Sequence, residues 1–234
     1  MAAHARQLFQ LFEKPVLHPI GVVSDVVCPW CFIGKRRLEK ALALAGRQGE
    51  HVLWKAFELN PQAPKEGMDR QAYRARKFGS ADYARELEAR VIEAGSEEGI
   101  EFRFDRIERV PNTLDAHRLI WLAGREGEQD AIVENLFRAY FIDGQDVGNR
   151  DVLRRIAVES GLDSTLADGL LNTDLGEREV RDEEREAHAR GVSGVPTFFV
   201  KGLPVMSGAQ TPELLASAFG TALGQCSLDD GACA

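Results

Sequence analysis

A chain of 234 residues, 44% hydrophobic and 28% charged, can bury a full core, so it needs neither disulfides nor zinc merely to fold. Its net charge of -8 argues against a general affinity for nucleic acid or anionic membranes. No apolar run approaches the roughly 20 residues of a membrane span. The N-terminal stretch MAAHARQLFQLFEKPVLHPI is broken by polar and charged residues where a signal peptide has a continuous apolar core. Arg6 and the scarcity of acids before Glu13 give only a faint likeness to a transit peptide. The expectation is a cytosolic protein, in a compartment that keeps most thiols reduced.

In chain order, IGVVSDVV (20–27) is β-branched and apolar and short enough for a buried strand. Cys28 follows, then Pro29, which suits the first turn of a helix because its missing N–H has no partner there anyway. Leu38, Ala41, Leu42 and Ala45 form one apolar helical stripe, which Gly46 and Gly49 end. HVLWKAFEL (51–59) reads as a second strand, completing a β–α–β unit with Cys28 and Cys31 at the strand-to-helix junction.

From Asn60 to Gly191 helical spacing takes over. SADYARELEARVIEAG (80–95) opens on Ser80, and IEFRF (100–104) reads as a brief extended piece. NTLDAHRLIWLAG (112–124) has Asn112 as cap with Asp115 three residues on. EQDAIVENLFRAYFIDG (128–144) is apolar on much of its surface, and NRDVLRRIAVESG (149–161) runs from an asparagine cap to a glycine. DLGEREVRDEEREAHARG (174–191) is charge-dense and reads as a solvated helix. Strand character returns in GVPTFFV (194–200), turns at Lys201–Gly202 into LPVMSG (203–208), and leads to TPELLASAFGTALG (211–224), with Thr211 as cap and Pro212 at the first helical position. The predicted fold is α/β and thioredoxin-like, βαβ…ββα around a central sheet with a large helical insertion between the halves. Its parts are an N-terminal extension (1–17), a thioredoxin-like domain (18–62 and 192–224), an inserted helical domain (63–191) and a Cys-containing tail (225–234).

The chemistry centres on CPWC. A helix N-terminus presents unpaired N–H groups and about half a positive charge. A cysteine there is stabilised as thiolate, the form that attacks disulfides. Cys28 is therefore the expected nucleophile, and Cys31, one turn further in, the thiol that resolves the mixed disulfide. Zinc with four cysteines usually needs a second close pair. The remaining cysteines, Cys226 and Cys233 in CSLDDGAC, are not spaced that way, and no metal site is expected. Pro196, before the run TFFV, reads as a rigid strand start; X–Pro is also the bond type that tolerates cis. Lys35, Arg36 and Arg37 read as a solvated run and His117 as a structural histidine. Asp25 is read either as a proton relay to Cys31 or as a cap of its turn, and Trp30 either as a substrate contact or as packing against the insertion.

SDVVCPWCFIGKRRLE, FELNPQAP, NTLDAHRL, FRAYFIDGQDVGNRDVL and GVSGVPTFFV…SGAQ, in this order, resemble the FrnE-like branch of the DsbA family, over about residues 18–220. The resemblance implies a thiol–disulfide oxidoreductase with Cys28 as nucleophile, Cys31 as resolving thiol and Pro196 as a cis proline facing them. A related branch, with glutathione S-transferase kappa and 2-hydroxychromene-2-carboxylate isomerase, carries serine at the first active position, where this chain has Cys28. A glutathione-dependent isomerase or transferase is therefore the alternative, and a non-enzymatic binding module a further one. No bound cofactor is expected. Glutathione is a candidate co-substrate: Val195 would pair with its backbone, Gly208, Ala209 and Gln210 would hold its glutamyl carboxylate, and Asn60 is a further contact. Pro29 and Trp30 would meet substrate. Cys226 and Cys233 form a candidate second redox pair. The expected partners are protein or small-molecule thiols and disulfides, with a homodimer as the assembly considered.

Overall fold

The structure, a computed structural model, describes residues 20–224. The tail pair Cys226–Cys233 and the N-terminal extension 1–17 lie outside the described residues. Strand β1 (Ile20–Ser24) is buried along almost its whole length, as expected for a central strand whose two faces are covered. The chain then passes through helix α1 (Pro29–Leu44) to β2 (Val52–Ala56), which pairs parallel to β1 from Ile20 opposite Val52 to Ser24 opposite Ala56. After the insertion, β5 (Thr197–Val200) runs antiparallel on the other side of β1, and β6 (Leu203–Ser207) pairs antiparallel with β5, giving the sheet order β2-β1-β5-β6. Lys201 and Gly202, both at positive φ, make the turn between β5 and β6, and helix α9 (Pro212–Gly224) packs along α1.

Between the halves lie β3 (Met68–Asp69), α2 (Arg70–Phe78), α3 (Ala81–Glu97), β4 (Arg109–Val110), α4 (Leu114–Glu126), α5 (Gln129–Phe141), α6 (Arg150–Glu159), α7 (Ser164–Leu171) and α8 (Glu177–Ala189). The extended piece expected at 100–104 is instead a coil ending in a single turn of 3₁₀ helix, Phe104–Arg106. The strand nearby is β4, which pairs with β3. Helices α2 and α7 escape the hydrophobic pattern. The first exposes most of its residues, and the second is only eight residues long, although Asp163 caps it by accepting the Thr165 and Leu166 N–H groups. The caps at Ser80, Asn149 and Thr211 all accept first-turn amides. Asn112 accepts the Leu114 N–H at 3.1 Å, one residue ahead of the cap position, which Thr113 occupies; Asp115 pairs with Arg118 rather than closing a capping box.

Two expectations are corrected by burial. Ala45 is not in the apolar stripe of α1; it is the exposed C-cap, and the stripe runs back through Phe32 and Ile33 to Leu42. Lys35 and Arg37 are not solvated. Lys35 is 3% exposed and bonded to Glu39 and Asp130, Arg36 is half-buried against Glu134, and Arg37 reaches Glu98 at 2.7 Å and the Ala209 carbonyl at 2.7 Å. The run thus fastens α1 to α3 and α5. Phe32 does the same by packing, stacked on Phe137 at 5.1 Å and edge-on to Phe102 at 6.1 Å.

Strand β2 is the sheet edge on the insertion side, and an unpaired edge invites association with other strands. Its outward N–H groups are taken by side chains of the insertion. Gln129 accepts from Trp54 N at 2.8 Å and donates back to Trp54 O at 2.9 Å, mimicking a strand residue. Glu183 accepts from Ala56 N at 3.0 Å and Glu184 from Glu58 N at 2.8 Å. This arrangement also corrects two readings. The charge-dense helix α8 buries Val180, Glu184 and Ala187 against the sheet, and β2 ends at Ala56: Phe57 N still donates to Ser24 O at 3.1 Å, but the Glu58 and Leu59 amides go to the Glu184 and Asp25 carboxylates.

Candidate active site

The CPWC junction sits where β1 ends and α1 begins. Cys28 is the N-cap of α1 in extended conformation, with Pro29 in the first helical turn. The turn is closed by Cys28 N donating to Asp25 O at 3.0 Å, and Cys31 N donates to Cys28 O at 3.0 Å. Both cysteines are free thiols. Cys28 is 5% exposed and Cys31 fully buried, so the outer and inner positions expected from their order are present. Trp30 is 38% exposed, at the rim of the site and not packed away under the insertion.

Opposite them lies the loop before β5. The Cys28 thiol contacts the Val195 carbonyl at 3.7 Å, and the Val195–Pro196 peptide bond is cis. The Val195 N–H has no hydrogen-bond acceptor among the described residues. Pro196 is held from two sides. Its carbonyl accepts from Gly208 N at 2.8 Å, and its ring lies so close to α1 that a Cβ on Gly34 would stand 2.9 Å from Pro196 Cγ. Gly34 was not anticipated, although a glycine inside an apolar helix is a signal of close approach. In the SGAQ segment, Gly208 N and Gln210 N are both already donated, to Pro196 O and Gly208 O, and the Gln210 amide folds back onto Ser207 O at 3.0 Å.

Behind the cysteines is a buried polar cluster. Asp25 is fully buried; its Oδ2 accepts from Leu59 N at 2.7 Å and its Oδ1 from Val27 N at 3.4 Å, with His117 Nε2 3.3 Å from the same Oδ1. Asp25 is therefore a cap of its turn. Glu58, Glu184 and Arg181 continue the cluster. Asn60 stands next to Leu59, and its Nδ2 is buried without a partner among the described residues, as is His117 Nδ1.

Burial pushes the Cys31 thiol well above its ordinary value, and the neighbouring Cys28 sulfur pushes the same way; Ser24 and the Asp25 backbone offset only part of this. Burial opposes a charge on His117, but the hydrogen bond and charge of Asp25, followed by Glu58 and Glu184, outweigh it and raise its pKa. Burial raises Glu58, with His117 opposing, and it raises Glu183 against the Ala56 N–H. Each of these groups holds its proton more tightly folded than unfolded, so its stabilisation is complete below its unfolded pKa and lost as pH rises through the folded one. Glu98, Glu134 and Glu186 are depressed, and they lose stabilisation only on acidification. Above about pH 6.5, the ordinary histidine value, His117 adds a slope of its own to that of the raised glutamates. The melting temperature should fall between about pH 6.5 and 8 in wild type and be flatter in His117→Gln. Thermal unfolding across that range checks this, and a rise with pH would contradict it.

A family model described as a DSBA-like thioredoxin domain matches residues 19–220. The chain belongs to the DsbA-like thioredoxin family. Its solved neighbours include a probable DsbA oxidoreductase from Streptomyces coelicolor, 33% identical with a TM-score of 0.80, covering 88% of this chain and 90% of that one. The uncharacterized protein YwbO of Bacillus subtilis is 29% identical over 204 residues, 85% of this chain and 94% of its own length. The cytosolic disulfide reductase DsbM from Pseudomonas aeruginosa, solved with GSH, shares the fold with a TM-score of 0.55 at 17% identity, covering 88% of this chain and 98% of that one. The DsbA-like assignment accounts for the central sheet, the placement of α1 and the helical insertion. Among the described residues no helix is long and apolar enough to cross a membrane, and no group of three or more His, Cys, Asp or Glu is placed to hold a metal.

Proposed function

We propose that this DsbA-like protein is a thiol–disulfide oxidoreductase acting through a mixed disulfide on Cys28. The observation that carries the reading is the free Cys28 thiol at the N-terminus of α1, facing Val195–Pro196 with the buried Cys31 thiol one turn behind. The Cys28 thiolate attacks one sulfur of a substrate disulfide, forming the Cys28–substrate bond and releasing the other sulfur as thiolate. Cys31 then gives up its proton and attacks the Cys28 sulfur, releasing the second substrate thiolate and leaving Cys28–Cys31 oxidised. The raised Cys31 pKa keeps that thiol protonated until a mixed disulfide has formed. A thiol reductant returns the pair to its starting state.

Glutathione suits that role. The unpaired Val195 N–H offers a backbone partner, the orphaned Asn60 Nδ2 a side-chain donor, and Ala209 and Thr211 at the start of α9 the amides for a carboxylate. DsbM, solved with GSH, supports the same class of partner in the cytosol. Insulin reduction by wild type and Cys28→Ser tests the reading. Turnover should vanish in Cys28→Ser, because serine forms no mixed disulfide. Equal rates would leave a binding module, and turnover of a glutathione-dependent isomerisation in Cys31→Ser would favour the isomerase alternative.

A further inference from the structure

We propose that His117 is a positioning residue for the dithiol, holding the Asp25 carboxylate so that the Cys28 turn is pinned to the loop carrying Leu59 and Asn60. The inference rests on the thiol-exchange reading above. Asp25 bridges two segments: its Oδ1 faces Val27 N within the redox turn, and its Oδ2 takes Leu59 N at 2.7 Å from the chain leaving β2. Its main-chain carbonyl takes the Cys28 N–H at 3.0 Å, so the orientation of this one residue sets where the nucleophile stands. A fully buried carboxylate with two backbone donors has an acceptor position to spare, and His117 Nε2, 2% exposed and 3.3 Å away, fills it from α4. The insertion is thereby coupled to the turn that carries Cys28.

The groups facing His117 are Asp25 from the turn after β1, Glu58 from the exit of β2, and Glu183 and Glu184 from α8, with Arg181 against Glu58 and Glu184. Of these, Asp25 is within hydrogen-bond distance of the imidazole, and the three glutamates act on it through charge. Without His117, the Asp25 carboxylate would be held by its two backbone donors alone, and its orientation between the turn and the Leu59–Asn60 loop would no longer be fixed from α4.

The test compares His117→Leu, of similar size but without a donor, with His117→Gln, whose side-chain amide donates to Asp25. Two readouts are taken on the full chain: kcat and KM for insulin reduction, and hydrogen exchange of the Leu59 amide. The leucine variant should lose about tenfold or more in kcat, about 1.4 kcal/mol, with little change in KM, and its Leu59 amide should exchange faster. The glutamine variant should recover most of both. Unaltered kcat and Leu59 exchange in the leucine variant, or equal losses in both variants, would overturn the proposal. If wild type itself shows no disulfide exchange, the reading above fails, while Leu59 exchange still decides whether His117 anchors the loop. A leucine variant that does not fold leaves the decision to the glutamine variant: Leu59 protection like that of wild type supports the bridge, and loss of protection overturns it.

Discussion

Gln129→Leu is expected to cost roughly 2–6 kcal/mol of stability, because it leaves two buried backbone groups, Trp54 N and Trp54 O, without a partner, each worth about 1–3 kcal/mol when left unsatisfied. Gln129 is 8% exposed, accepts from Trp54 N, and donates to Trp54 O at 2.9 Å and Ile120 O at 3.2 Å. Leucine fills similar volume, so the loss isolates the hydrogen bonds from the packing. At about 2–4 °C per kcal/mol for a chain of this size, the melting temperature should drop by on the order of 10 °C. Gly124 gives the amide its room, with a hypothetical Cβ only 2.8 Å from Gln129 Nε2. A drop of less than about 2 °C would show that water replaces the side chain at this edge of β2.

Gly34→Val carries the second large effect, this time on the chemistry. Valine is placed where even a single Cβ stands 2.9 Å from Pro196 Cγ and 3.5 Å from Phe198 Cζ. Pro196 belongs to the loop whose Val195 carbonyl meets the Cys28 sulfur, so relieving the overlap moves that loop away from the nucleophile. Overpacking of this kind costs about 1–3 kcal/mol, against a gain of less than about 1 kcal/mol from helix propensity. Insulin reduction should fall at least tenfold while the helical circular dichroism stays native. Gly34→Ala should fall between the two. Wild-type turnover in the valine variant would mean that the Pro196 loop does not need its place beside α1.

These two sites show what could and could not be read in advance. The helix that carries Cys31 was legible because its signals are local: Cys28 precedes Pro29, and the cap and first turn depend only on neighbours in sequence. The same holds for Ser80, Asn149 and Thr211. The protection of β2 was not legible. Gln129, at the polar start of an otherwise apolar helix, and Glu183 and Glu184, in a charge-dense one, look like surface residues, and only the fold brings them to amides 75, 127 and 126 residues away. Lys35 was misread for the same reason, since its burial depends on Asp130, which lies 95 residues away. His117 carried a chemical hint without its partner, because an Asp25–His117 contact spans 92 residues. Gly34 alone was within reach: a glycine three residues after Cys31, in an otherwise apolar helix start, signals that another chain segment passes close by.

The central claim is that Cys28 captures a substrate sulfur and Cys31 releases it. Incubating Cys31→Ser with oxidised glutathione or a disulfide-bonded peptide, and weighing the intact protein, tests this directly. The account predicts a stable adduct of one substrate half per chain, located on Cys28 by peptide mapping and removed by dithiothreitol. Wild type under the same conditions should hold little adduct. No adduct on Cys28, with the cysteine shown to be reduced and the chain folded, would contradict the account.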